Sequence, residues 1–145
     1  MRTKIIAALV LAALATPAAA GPYTDALGAC LADNTTGRDR KELARWIFAA
    51  MSSHPEMRDL SSVTAEGKEQ VFRSAGNLVT RLLTENCRDP ARAAMKAEGP
   101  SSFEAAFGTL GRLAMQELMS NGEVRTAVGS FERYVDRKKI EAAMR

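Results

Sequence analysis

Apolar side chains recur along most of this chain at intervals of three and four residues, in blocks set apart by clusters of Gly, Pro, Asn, Ser and Thr. That spacing lines one face of an α-helix, and the strict alternation of a half-buried strand is not found. A short first helix is predicted over 24–33, where Leu27, Cys30 and Leu31 share a face, and Asn34-Thr35-Thr36-Gly37 breaks it. Thr36 followed three residues later by Asp39 makes a capping box with Asp in place of Glu, so a second helix should run over 37–53. Leu43, Trp46, Ile47, Ala50 and Met51 form its expected buried stripe, and His54-Pro55 ends it because the residue before a proline disfavours helical dihedrals. In the loop beyond, Met57 and Leu60 read as anchors back to the core.

The third helix is predicted over 65–86, behind a Ser61 to Thr64 cap cluster. Val71, Ala75, Leu78 and Leu82 form one apolar row, and Phe72, Val79 and Leu83 an adjacent one. A stripe that wide predicts burial against more than one neighbour. Asp89-Pro90 reads as the N-cap and first position of a short helix over 90–98, closed by Gly99-Pro100. Ser101 and Glu104 make another capping box for a helix over 102–120, with Phe103, Ala106, Phe107, Leu110, Leu113, Ala114 and Leu118 facing inward. Gly108 and Gly111 each cost that helix about 1 kcal/mol relative to Ala, tolerable where a neighbouring helix packs close. A last helix over 123–144 carries Val124, Val128, Phe131, Val135 and Ile140, with a bend at Gly129. The predicted fold class is all-α, a single-domain bundle of five to six helices with antiparallel neighbours, because the connections are short.

Residues 1–20 fall outside this pattern. Arg2 and Lys4 precede an uncharged apolar run from Ile5 to Ala15, then Thr16-Pro17 and the small residues Ala18, Ala19 and Ala20. That order is the layout of a signal peptide cleaved near Ala20-Gly21. The run of about eleven residues is short of the roughly twenty a bilayer span needs, so no stable membrane span is expected. The division is therefore a signal peptide over 1–20 and a helical domain over 21–145, periplasmic or secreted. Leu27-Gly28-Ala29-Cys30 has the letters of a lipobox, but Pro22 to Asp25 separate it from the apolar run, which disfavours a lipoprotein attached through Cys30.

Composition changes the picture in two places. Two of the three net positive charges lie on Arg2 and Lys4. A near-neutral domain after cleavage has no bulk pull on nucleic acid or anionic membrane. The two cysteines, Cys30 and Cys87, are an even pair in an exported chain, which predicts a disulfide that staples the first helix beside the end of the third.

The most distinctive segment runs through Cys30-Leu31, Thr35-Thr36-Gly37-Arg38-Asp39-Arg40, Trp46, Ala50-Met51 and His54-Pro55. Over about residues 28–63 the chain resembles exported proteobacterial helical proteins with this pattern. The resemblance implies export and helicity and carries no activity with it. Bottom-up, the polar corner at Asp33 to Arg40 lacks the ligand spacing of a calcium loop, since Gly37 and Ala44 stand where oxygen ligands are required. Its first-turn amides could hold an anion beside Arg38 and Arg40, but Thr36 and Asp39 are placed to satisfy them locally. His54, the single histidine, reads as a helix-end cap. Trp46 reads as a core residue that would become a partner anchor if half exposed. Gly108-Thr109-Leu110-Gly111 lies in a helical pattern and not in a nucleic-acid clamp.

No residue set amounts to a catalytic or metal signature, and no cofactor is implied. The expected function is a non-enzymatic factor that binds another protein, of inhibitor, immunity or envelope-accessory type. Arg38, Asp39, Arg40, Trp46 and His54 form the candidate partner or ligand surface. The alternative is a carrier or sensor of a small apolar or lipidic ligand between the helices, with Met51, Met57, Trp46 and Phe107 lining the cavity. An enzyme built on Asp39, Arg40 and His54 is the third reading.

Overall fold

A computed structural model describes residues 20–145; residues 1–19, which hold almost all of the expected export signal, lie outside the described residues. Eight α-helices are formed among those residues, with no strand: α1 (Pro22–Asp33), α2 (Gly37–Met51), α3 (Pro55–Arg58), α4 (Ala65–Arg81), α5 (Arg88–Glu98), α6 (Ser101–Met119), α7 (Gly122–Gly129) and α8 (Arg137–Ala143). The count exceeds the expected five to six for two local reasons. Pro55 starts a single helical turn where the pattern predicts a loop. The continuous helix expected over 123–144 breaks into α7, a 3₁₀ turn over Ser130–Tyr134 and α8, where Gly129 and Asp136 interrupt it.

Capping explains most boundaries. Thr36 and Asp39 form the reciprocal box that starts α2. Thr64 caps α4 through the Gly67 amide, and Asn121 caps α7 through the Val124 amide. Two expected caps are absent. Asp89 lies inside the first turn of α5, which begins at Arg88 with Cys87 at the cap position. Ser101 is already helical in α6, and the neighbouring Ser102 hydroxyl instead donates to the Gly99 carbonyl at 2.5 Å. The amides at the start of α1 are capped from across the fold: Tyr23 N and Thr24 N donate to the Glu98 carboxylate at 3.0 and 2.9 Å, and the Thr24 hydroxyl joins them.

The core is made where α1 packs on α5 and α6 while α2 bridges α6 to α4. Leu27 and Leu31 of α1, Leu82, and Ala106, Leu110 and Ala114 of α6 are buried together, with Leu43 of α2 beside them. α1 and α6 approach closely at Gly28, where an added side-chain carbon would stand 3.2 Å from Thr109 Oγ1 and 3.8 Å from the Ala106 backbone. The close approach expected at Gly108 and Gly111 is not there. Gly111 meets nothing within 4 Å, and Gly108 meets only Arg112 of its own helix. Met57 and Leu60 are not anchors either; Leu60 is 81% exposed, because the loop after α3 runs over the surface.

At its end α4 widens into a π-helical turn over Leu82–Asn86, where the Cys87 amide reaches back to the Leu82 carbonyl at 2.7 Å. The extra residue per turn resets the side-chain register, burying Leu82 and Cys87 together against α1. Cys30 and Cys87 are disulfide-bonded with their Cα atoms 5.9 Å apart, as the even pair predicts. Asn34 closes the corner, its side-chain nitrogen donating to the Cys30 carbonyl at 2.9 Å.

Candidate functional site

The charged corner at the start of α2 is occupied by its own residues. The Thr36 amide donates to Asp39 Oδ2 at 2.8 Å, and the Asp39 amide donates to Thr36 Oγ1 at 3.2 Å. Arg81 of α4 reaches the same carboxylate at 3.4 Å. Burial raises the Asp39 pKa most strongly of any single influence. The hydrogen bonds from Thr36 and the charges of Arg81 and Arg38 together outweigh it and hold the carboxyl below its ordinary value. The Asp39 carboxylate therefore sits where an anion would sit. Arg40 turns back along the corner and donates to the Ala32 carbonyl at 3.3 Å, leaving its Nε buried and unpartnered. Arg38 is exposed.

His54 lies just past the other end of α2 and is exposed. It caps an N-terminus rather than carbonyls: its Nδ1 accepts from the Glu56 amide at 3.2 Å at the start of α3. The stretch of α2 from Asp39 to Met51, about 18 Å long, separates it from Asp39 and Arg40. The five candidate side chains thus do not converge, and Asp39, Arg40 and His54 do not form one catalytic set.

Trp46 is the candidate that the fold puts to use. It is 41% exposed and stands on the wall of a groove rather than in the core. The groove exists because α4 and α6 both pack on α2 without closing on each other. Leu43, Trp46 and Ile47 of α2, Phe72, Ala75, Gly76 and Val79 of α4, and Phe107, Leu110 and Gly111 of α6 enclose about 500 Å³. Every lining residue is apolar or a glycine. Of the four residues expected to line an interhelical cavity, Trp46 and Phe107 do so. Met51 and Met57 are exposed and lie outside the groove.

Sequence reasoning passed over Phe72, Gly76 and Gly111 as site residues, although two signals pointed to them. The double apolar row on the third helix was one row wider than a single neighbour covers. Glycines in helix interiors cost stability without serving a turn. Gly76, like Gly111, has nothing within 4 Å of the position a side chain would take. Among the described residues no contact accounts for either glycine, and both walls they stand on face the same open space.

A second apolar cavity of about 570 Å³ lies on the opposite flank of α2, bordered by Ala44, Phe48, Val63, Val71 and Leu118, with Lys41 and Arg45 at its edge. The segment from α7 to α8 buries none of its side chains; Phe131 is 61% and Tyr134 79% exposed. Among the described residues, no helix is long and apolar enough to cross a membrane, and no group of three His, Cys, Asp or Glu side chains is placed to hold a metal ion. No protein-family model, curated protein or solved structure matches the chain.

Proposed function

We propose that this is an exported, non-enzymatic protein-binding factor, a single helical domain over residues 21–145 that acts outside the cytoplasm. Its groove between α2, α4 and α6 takes the apolar face of a partner polypeptide. The observation that carries the reading is the groove itself: a wholly apolar channel on rigid helices, edged by Trp46 and Phe72, both exposed. Two glycines give a backbone room to approach on facing walls. An exposed aromatic beside a preformed apolar depression is the usual anchor of a protein interface, and an amphipathic helix laid into such a groove presents side chains at i, i+3, i+4 and i+7. Asp39, Arg40 and His54 are each engaged in a cap or a backbone hydrogen bond, which leaves the apolar groove as the better-built site. The order of residues 1–20, the resemblance over 28–63 and the disulfide support export to an oxidising compartment. With the Cys30 sulfur bonded to Cys87, lipid attachment there is disfavoured.

A photo-crosslinking residue placed at Trp46, Phe72 or Gly111 should capture one partner in envelope extract, and the same residue at Gln70 should not. Gly111→Leu, which fills the groove, should abolish that capture while the fold is retained. Crosslinking that is equal at position 70, or unchanged by Gly111→Leu, overturns the reading. The cavity volume favours a second reading, since about 500 Å³ is within the range of small-ligand sites. An apolar ligand would appear as an adduct in native mass spectra of the periplasmic protein and vanish in Gly111→Leu.

A further inference from the structure

The start of α1 holds a feature that the groove does not explain. Gly21 stands at the N-cap of α1 with no side chain to cap it, and the Glu98 carboxylate supplies that cap from the end of α5. A side-chain carbon on residue 21 would overlap this carboxylate, standing 2.8 Å from Oε2 and nearer still to its other atoms. The Gly21 nitrogen is about 2.5 Å from that point by covalent geometry, so it lies within about 5 Å of the carboxylate. The Ala20–Gly21 bond expected to be cut on export is therefore exposed at Ala20 and backed by a carboxylate at Gly21.

We infer that the mature amino terminus is part of the fold: once cleavage occurs after Ala20, the premise on which this inference rests, the new Gly21 ammonium becomes the ion-pair partner of Glu98. The chemistry balances simply. Water adds across the Ala20–Gly21 peptide bond, leaving a carboxylate on Ala20, which departs with the signal segment, and an ammonium on Gly21. Before cleavage the Glu98 carboxylate caps α1 without an ion-pair partner among the described residues; after cleavage it faces an ammonium. A side chain at this first position would have to push the Glu98 carboxylate aside, away from the ammonium it pairs with.

The positive end of α1 opposes a cation there, and the neighbouring acidic side chains favour one. Ala20, Gly21 and Glu98 share one recess with Asp25 of α1 and with Glu104 and Arg112 of α6. Three carboxylates and a single guanidinium thus line that recess, and Arg112 already donates to Thr109 Oγ1 at 2.9 Å. The Thr24 hydroxyl above all, with the Tyr23 and Thr24 amides, lowers the Glu98 pKa against the opposing influence of burial. Glu98 is accordingly ionised throughout the range in which an α-amine titrates. An opposite charge within about 4–6 Å favours the ammonium form. The amine should titrate about 0.5–1 unit above its ordinary 7.7–8.0, a three- to tenfold smaller fraction of free amine at slightly alkaline pH. A raised pKa in the folded state gives stability that is complete below the unfolded value and is lost as pH rises through the folded one.

The test uses the whole domain released from a removable N-terminal fusion so that it begins at Gly21 with no added residue. The pH dependence of its N-terminal acylation rate, read by mass spectrometry, gives the amine pKa. The inference expects a raised value in the wild type and the ordinary value in Glu98→Gln and Gly21→Ala. If Glu98→Gln fails to fold, wild-type domain acetylated at Gly21 serves instead: it should unfold more easily than the free-amine form at pH 7 and equally at pH 10. A wild-type amine titrating in the ordinary range, or an acetylated domain as stable at pH 7, overturns the pairing. Sequencing of the exported protein reads the premise separately. A start other than Gly21 overturns the cleavage position, whatever the titration of the engineered terminus shows.

Discussion

Replacing Gly76 or Gly111 by Ala should stabilise this protein while narrowing its groove. Each glycine lies inside a regular helix, α4 or α6, and neither has the positive φ that would favour glycine. In such a position Gly is less favourable than Ala by about 0.8–1 kcal/mol. The gain is normally reduced by what the new methyl group strikes, and at both positions nothing lies within 4 Å. Each single variant should therefore gain about 0.5–1 kcal/mol, a rise in Tm of roughly 2–4 °C for a domain of this size. The double variant should gain close to the sum, since the two methyl groups project from different helices with no neighbour in common. Gly28→Ala is the internal control. There the methyl group would stand 3.2 Å from Thr109 Oγ1 with the α6 backbone behind it, so overpacking should cancel the propensity gain and lower stability by about 1 kcal/mol or more. Urea unfolding followed by far-ultraviolet circular dichroism measures all four. If Gly76→Ala and Gly111→Ala leave the midpoint unchanged or lower it, the glycines serve folding after all, and the groove loses its claim to an occupant.

Other expectations can be checked on the same protein. Reducing the Cys30–Cys87 bond, which closes a loop of 57 residues, should cost up to about 4 kcal/mol by chain entropy, seen as a lower urea midpoint with reductant, and alkylation should label neither cysteine before reduction and both after it. Thr36→Ala removes the cap of α2 and should cost about 1 kcal/mol at neutral pH. Because the Asp39 pKa is lowered in the fold, the carboxylate contributes stability above the unfolded value near 3.9 that disappears as pH falls through the folded value; the acid limb of the stability profile should be shallower in Thr36→Ala. Ending the chain after Asn121 removes only side chains that are exposed or half-buried, so the unfolding midpoint should move by no more than about 0.5 kcal/mol equivalent.

The parts of this architecture visible in the sequence are those fixed locally. The turn from α1 to α2 follows from Thr36 and Asp39 alone, and the extent of the third helical block needs only the spacing of Val71, Ala75, Leu78 and Leu82. What could not be read depends on how finished helices meet. The π-helical turn over Leu82–Asn86 costs the chain a regular hydrogen-bond register and is held by packing against α1 and the disulfide, neither of which is a property of residues 82–86 themselves. Glu98 as a cap for α1 couples residues 75 positions apart, beyond the reach of any short-range pattern.

Trp46 makes the same point about function. Periodicity showed that it shares a face with Leu43 and Ile47, and to a pattern of apolar positions a core stripe and a groove wall are identical. The difference is set by the distance between α4 and α6, both of which pack on α2 while neither closes over the indole. Gly76 and Gly111 are what distinguish the two cases within the sequence. A helix destined to meet another helix gains from small residues only where the backbones touch, as at Gly28. Where small residues on two helices face the same open volume, the fold has left room that its own side chains do not use, and the helix propensity forgone there is the cost of keeping that room. The groove, rather than the charged corner at Asp33 to Arg40, is therefore where the chain gives up stability with no return inside its own structure.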